Sequence, residues 1–153
     1  MQKRLAVFLF LVAACAPGDR VGEVDAMNAS AAALDVDVAA GDKLRFTVDC
    51  EVDMNGLENV AGGHRGHLAV EAVQRSQLSI TVKNPTSLAT ARCPLKGNGI
   101  TEGKSGSRLY YKGLVVSCEV PIAQAGKHAV SASVVWDPAI KPLSAKAVVR
   151  RVR

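Results

Sequence analysis

The stretch that decides the fold class is LRFTVDCEVD, residues 44–53. Apolar and polar residues alternate through it without a break, so Leu44 and every second residue after it share one face, and the polar side chains share the other. Successive side chains of a β-strand point to opposite faces, and this two-residue period is typical of a strand with one buried and one solvated side. The sequence therefore predicts a long, half-buried strand at this point.

Further strand candidates lie on both sides of this stretch. They occupy residues 34–38, 68–73, 78–82, 87–95, 108–120, 128–136 and 143–152. Turn-forming residues such as Asn84 and Pro85 separate them, and the sequence shows no long amphipathic helix. We predict an all-β fold, a single antiparallel β-sandwich of seven or eight short strands over residues 34–153.

The N-terminal segment MQKRLAVFLFLVAAC, residues 1–15, differs in composition from the rest of the chain. Lys3 and Arg4 precede an apolar run over residues 5–12, and two alanines follow. This order is typical of a secretory signal peptide, and the run is shorter than the roughly 20 apolar residues that a membrane span needs. We predict a signal peptide over residues 1–14.

The run VAAC, residues 12–15, resembles the lipobox of bacterial lipoproteins. The resemblance implies that the Cys15 sulfur receives diacylglycerol, that the chain is cut just before it, and that the new amino group is acylated. Two or three acyl chains hold a protein stably on a membrane. Ala16 rather than Asp follows the cysteine, which implies the bacterial outer membrane, periplasmic or surface-facing. In a Gram-positive envelope the same signal implies the outer face of the plasma membrane.

Cleavage after Ala16 is the alternative, and without lipidation it would give a periplasmic or secreted protein. Residues 16–33 are small and polar without a sustained period. We therefore predict a lipidated N-terminus with a flexible tether over residues 15–33.

Charge is unevenly distributed along the chain. Ten acidic and three basic residues lie between positions 19 and 58, and four acidic and fourteen basic residues follow. We interpret this as acidic early strands that lie beside basic late strands and pair with them across the surface. The alternative is a basic face that meets anionic lipid head groups or an acidic partner. Its residues would be Lys146, Arg150, Arg151 and Arg153.

Aromatic side chains are few outside the signal, where only Phe46, Tyr110, Tyr111 and Trp136 remain. Binding of single-stranded nucleic acid uses several aromatic side chains on which bases stack. We therefore predict no nucleic-acid partner, although the chain is basic.

Three cysteines remain besides Cys15, at positions 50, 93 and 118. An oxidising location favours one disulfide and leaves one thiol, and all three pairings are open. We predict the pair Cys93–Cys118, because the strands that carry them flank a Gly-rich arm over residues 96–107 and a bridge would fix its base. Closing a loop of this length contributes roughly 3 kcal/mol.

Two Gly-rich loops are candidate contact surfaces: residues 54–67 with His64, Arg65 and His67, and residues 96–107 with Lys104. His64, His67 and His128 form a candidate metal set. Their spacing is not a zinc signature, and no cysteine or acid lies close in sequence. We predict no metal, and no cofactor besides the covalent lipid on Cys15.

The run QAGKHAV, residues 124–130, resembles the corner between the fifth and sixth strands of immunoglobulin-like domains, where the pattern D-x-G-x-Y-x-C is typical. Gly126 matches the pattern, whereas His128 stands in place of the tyrosine and Val130 in place of the cysteine. The resemblance implies an immunoglobulin-like architecture without the usual disulfide between sheets.

No catalytic motif stands out in the sequence. We predict a non-catalytic binding or scaffold module that a lipid anchors to the membrane and that presents its edge strands and loops to another envelope protein. One alternative is a soluble exported inhibitor or small-ligand-binding domain. Another is an envelope hydrolase, since fold alone does not exclude catalysis.

Overall fold

The computed structural model describes residues 18–53, 55, 71–96, 101–105 through their backbone, and 107–153. These ranges contain nine strands and one helical turn at residues 71–75. The strands are β1 (Asp19–Asp25), β2 (Leu34–Val38), β3 (Lys43–Asp53), β4 (Gln77–Asn84), β5 (Ser87–Lys96), β6 (Thr101–Ser105), β7 (Arg108–Pro121), β8 (Gly126–Val135) and β9 (Lys141–Val152). Within the described ranges, no helix has the length and apolar character needed to span a membrane.

All strand pairs are antiparallel, and the strand order is β1-β9-β3-β7-β5-β4-β8-β2, with β6 attached to β7. The predicted all-β antiparallel class is therefore confirmed. The structure has nine strands rather than seven or eight because the polar segments around β1 and β6 also pair with neighbours.

The central strand is β3, which contains the stretch that decides the fold. It pairs with β7 on one side and β9 on the other. Its apolar residues, from Leu44 to Val52, are at most 5% exposed, whereas the residues between them are partly exposed. Each fully buried side chain of this size contributes about 1.5–3 kcal/mol. The alternating apolar side chains of β3 thus all face one core, as predicted.

Two groups of strands enclose this core, and they are joined at two places. Strand β5 pairs with β4 through residues 87–94 and with β7 through Leu95 and Lys96, so it passes from one group to the other. At the opposite end of the strand order, the Ala26 N–H donates to Ala145 O of β9 at 2.9 Å, and Ala26 O accepts from Val134 N of β8 at 2.8 Å. The finer assignment as an immunoglobulin-like sandwich stays a prediction, since the groups are joined as well as stacked.

The predicted tether over residues 15–33 is wrong for its middle part. Strand β1 occupies Asp19–Asp25 and pairs with β9 along its length, with a bulge between Arg20 and Gly22. Only Val24 of this strand is a buried apolar residue. The strand forms because β9 offers it a complete row of backbone partners. Such pairing depends on a distant segment, so the local hydrophobic pattern does not predict it.

Two other segments differ from their predictions. Residues 71–73, the end of the strand predicted over residues 68–73, belong instead to a helical turn over residues 71–75. Ser76 closes this turn: its N–H donates to Val73 O at 3.0 Å and its hydroxyl to Ala72 O at 3.1 Å. Within the arm over residues 96–107, strand β6 pairs with β7. The predicted signal peptide, Cys15 and most of the loop over residues 54–67 lie outside the described residues.

Candidate functional site

The predicted contact residues are only partly within the described structure. His64, Arg65 and His67 lie outside it. Lys104 lies in β6, opposite Leu109 of β7.

The predicted disulfide is confirmed. Cys93 of β5 and Cys118 of β7 form a bridge with a Cα–Cα distance of 5.7 Å. Cys93 is completely buried. The bond joins the two strands near the point where β5 passes from β4 to β7, so it fixes the base of the segment that contains β6, the reason for which we predicted it.

Cys50 is the remaining thiol of the described structure, and it is 5% exposed on the inner face of β3. Burial, together with the charge of Asp49, raises the pKa of the Cys50 thiol to about 12. The thiolate is the nucleophilic form of cysteine, so this side chain is unreactive at neutral pH and serves as a small apolar core group.

His128 is a buried structural residue of β8. Its Nδ1 lies 3.0 Å from Gly126 O, and because a carbonyl only accepts, Nδ1 carries the proton. Nε2 then accepts from Asn84 Nδ2 at 3.0 Å. The Asn84 Oδ1 in turn accepts the backbone N–H groups of Thr86 and Ser87, so His128 fixes the turn between β4 and β5.

Both nitrogens of His128 are occupied, which leaves none to coordinate a metal. Among the side chains that the structure describes, no group of three or more histidines, cysteines and acids is placed to hold a metal ion.

The uneven charge distribution produces pairs across the surface, as we interpreted it. Acidic residues of early strands meet basic residues of later ones in the pairs Asp19–Arg151 (3.4 Å), Glu23–Lys146 (2.9 Å), Asp35–Lys127 (3.7 Å), Glu51–Arg108 (3.1 Å) and Asp53–Lys141 (3.6 Å). Exposed pairs of this kind contribute little to stability, because water and salt screen them. Lys146 and Arg151 of the alternative basic face are therefore engaged, whereas Arg150 has no carboxylate within 4 Å in the described structure.

The feature most suited to binding is an open edge on β5, residues 87–94. One side of this segment pairs with β4, and no described strand pairs with the other side until Leu95 meets β7. Residues 87–90 are all exposed, and Leu88 keeps 65% of its surface in solvent, more than any other large apolar side chain of the described structure. An unpaired edge of this kind is a template for another strand.

One hydrogen bond shows which residues of this edge direct their backbone N–H and C=O groups to the open side. The Leu95 N–H donates to Ser76 O at 3.2 Å, on the β4 side. Because backbone groups alternate sides along an antiparallel strand, Leu88, Thr90 and Arg92 direct their N–H and C=O groups to the open side. Pro94, which has no N–H, occupies the next outward position, where it breaks no bond of the β4–β5 pair.

The outer side chains of this edge are mixed in character. Leu88, Thr90 and Arg92 share the solvent face with Lys83 and Thr81 of β4, which lie opposite Leu88 and Thr90. Natural edges are commonly protected by lysine, proline or a bulge. Residues 87–92 contain neither lysine nor proline, and their register with β4 is unbroken. Among the described residues, the part of this edge over residues 87–92 is thus open to a partner strand.

We compared the chain with protein-family models, curated proteins and solved structures, and none of them matches it.

Proposed function

We propose that this chain is a non-catalytic binding module of the bacterial cell envelope, anchored by lipid on Cys15, which takes up an extended segment of another envelope protein as an additional strand on β5. The observation that carries the proposal is the open edge over residues 87–92. Strand addition gives affinity through main-chain hydrogen bonds and specificity through alternate side chains.

The chemistry of the edge defines the segment that it would accept. Three residues, Leu88, Thr90 and Arg92, offer six outward backbone groups to pair with a strand of about five residues. Leu88 favours an apolar side chain beside it, and Arg92 favours an acidic one. A basic residue beside Arg92 would be repelled. We therefore expect an extended, apolar segment that carries an aspartate or glutamate.

The anchor is tested by mass spectrometry of the protein purified from membranes. The proposal expects an N-terminal Cys15 with attached acyl chains, and incorporation of labelled palmitate that Cys15→Ser abolishes. A mature chain that begins at Pro17, without lipid, would favour the soluble exported alternative. This measurement does not depend on the β5 edge.

The binding edge is tested by crosslinking in intact envelopes, followed by identification of the crosslinked peptide. Thr90→Pro removes an outward N–H and leaves the bonds to β4, so it should abolish capture of the partner. Thr90→Val is the matched control, because it has nearly the same shape and keeps the N–H; it should capture the partner like the natural chain.

A second substitution tests the same edge independently, in case the proline variant does not fold. Leu88→Lys adds a charge to the open edge at a solvent-exposed position, so it should also abolish capture while the circular dichroism spectrum stays unchanged. Equal crosslinking by all variants would refute the proposal. Self-association that Thr90→Pro abolishes would identify a second copy of the chain as the occupant, and would refute the proposed envelope partner.

A further inference from the structure

A row of arginines crosses the outer face of the sheet formed by β1, β9, β3 and β7. Arg20 lies opposite Arg150, Arg150 opposite Arg45, and Arg45 opposite Glu119. Residues opposite one another in an antiparallel pair share a face, and like charges in that position destabilise the sheet. The row thus has three guanidinium groups and one carboxylate.

The single carboxylate of this row is already shared. Arg45 donates to Glu119 Oε1 from Nε at 2.9 Å and also from Nη2, while Lys43 Nζ lies 3.6 Å from Oε2. Arg20 pairs with Glu23 instead. The side chain of Arg150 meets only Gly18 O, at a long 3.4 Å. Among the described residues, the charge of Arg150 therefore has no carboxylate partner.

Next to the arginine row lies an apolar row. Val148 of β9 pairs with Thr47 of β3, which pairs with Val115 of β7, and Val115 pairs with Lys96 of β5. Val115 is 37% exposed, a high value for valine in a strand that has neighbours on both sides. Lys96 has no carboxylate within 4 Å in the described structure, so a second unpaired cation lies at the end of this apolar row.

The two rows form a groove of about 660 Å³, lined by Arg45, Thr47, Lys96, Val115, Glu119 and Arg150 among others. A volume of this size is within the range of small-molecule sites, which is about 300–1,000 Å³. Cations border the groove on two sides, and its floor is apolar. We propose that this groove binds one amphiphilic oxyanion, a carboxylate or phosphate head held by Arg150, Arg45 and Lys96 with an apolar body over Val115.

The same face favours a single molecule over a flat membrane surface. Beyond the apolar row it carries Asp25 and Asp49, together with Glu51 and Asp53, whose charges Arg108 and Lys141 balance. That part of the face therefore offers no excess of positive charge to an anionic bilayer. Arg45 retains three N–H groups after its two bonds to Glu119, enough to bind an oxyanion without breaking that pair. The site is independent of the β5 edge and of the lipid on Cys15.

Binding is measured by titration calorimetry and by backbone amide shifts, on the full chain with Cys15→Ser so that no acyl chain is attached. The probes are decanoate and decyl phosphate, which distinguish a carboxylate from a phosphate head. Inorganic phosphate tests the head alone, and decyl maltoside tests an uncharged molecule with the same apolar body. Vesicles of phosphatidylcholine and phosphatidylglycerol test a membrane surface.

We expect decanoate, decyl phosphate or both to bind at one per chain, with shifts at Thr47 and Val115. Arg150→Gln and Lys96→Gln should each weaken binding at least about tenfold, the effect of losing one hydrogen bond to a charged group. Neither side chain has a carboxylate partner among the described residues, so both variants should fold. Lys83→Gln makes the same charge change on β4, away from the residues that line the groove, and should bind like the natural chain.

Four results would overturn the proposal. They are equal binding of decyl maltoside, binding of inorganic phosphate as tight as that of decyl phosphate, binding to anionic vesicles without binding of either single amphiphile, and unchanged affinity in both Arg150→Gln and Lys96→Gln.

Discussion

Removal of the disulfide between Cys93 and Cys118 should cost this protein a large part of its stability. The two residues are 25 positions apart, and the chain-entropy relation gives about 3.5 kcal/mol at 25 °C for a loop of that length. The loss of two buried sulfur atoms adds to this in a Cys93→Ala/Cys118→Ala variant. For a domain of this size, 1 kcal/mol corresponds to about 2–4 °C in melting temperature, so the melting temperature should fall by roughly 10 °C.

The assay is urea unfolding followed by circular dichroism, for the natural chain and the double variant, with and without a reducing agent. The reductant should lower the midpoint of the natural chain and leave that of the double variant unchanged. This comparison separates the bond from the lost side-chain contacts, because reduction keeps both sulfur atoms. A change below about 1 kcal/mol on reduction would refute the entropic reasoning, and peptide mapping that found Cys50 in the bridge would refute the pairing.

Two further predictions concern a carboxylate and a pair of glycines. The hydrogen bond and charge of Arg45 hold the pKa of Glu119 below its ordinary value of 4.5. Glu119 therefore stabilises the fold above pH 4.5, and this contribution is lost as the pH falls through the lowered pKa. We expect the urea midpoint to fall less steeply between about pH 5 and 3 in Glu119→Gln than in the natural chain. Gly18→Ala should lower the melting temperature more than Gly41→Ala. Both glycines have positive φ, but a Cβ at Gly18 would lie 2.6 Å from Arg151 O, whereas a Cβ at Gly41 would have no atom within 4 Å. Equal shifts would contradict this account.

The central strand was predictable because its own residues determine its environment. The alternation from Leu44 to Val52 requires one buried face whatever its neighbours are, and the structure buries that face. The disulfide was the pairing we favoured among three open ones, because the strands that carry Cys93 and Cys118 flank the arm, and the structure has this pair.

Strand β1 and the arginine row could not be predicted, because both depend on which strands become neighbours. Asp19–Asp25 has a weak pattern and becomes a strand only beside β9. Arg20, Arg45 and Arg150 are 130 positions apart at most, and only the register of three strands places them in one row. The open edge of β5 likewise follows from the departure of that strand toward β7, which no local pattern in residues 87–96 indicates.

Strand β1 begins at Asp19, so few residues separate the domain from a lipid attached to Cys15. Asp19 follows Cys15 by four residues, and a fully extended chain covers at most about 3.6 Å per residue. The linker from Cys15 to Asp19 therefore spans at most about 14 Å. On the proposed lipid anchor, a domain held that closely would diffuse in two dimensions along the membrane surface and would not reach targets far from it. The end of the sheet where Asp19 pairs with Arg151 would then face the bilayer, and targets must come within a protein's width of the head groups to be reached.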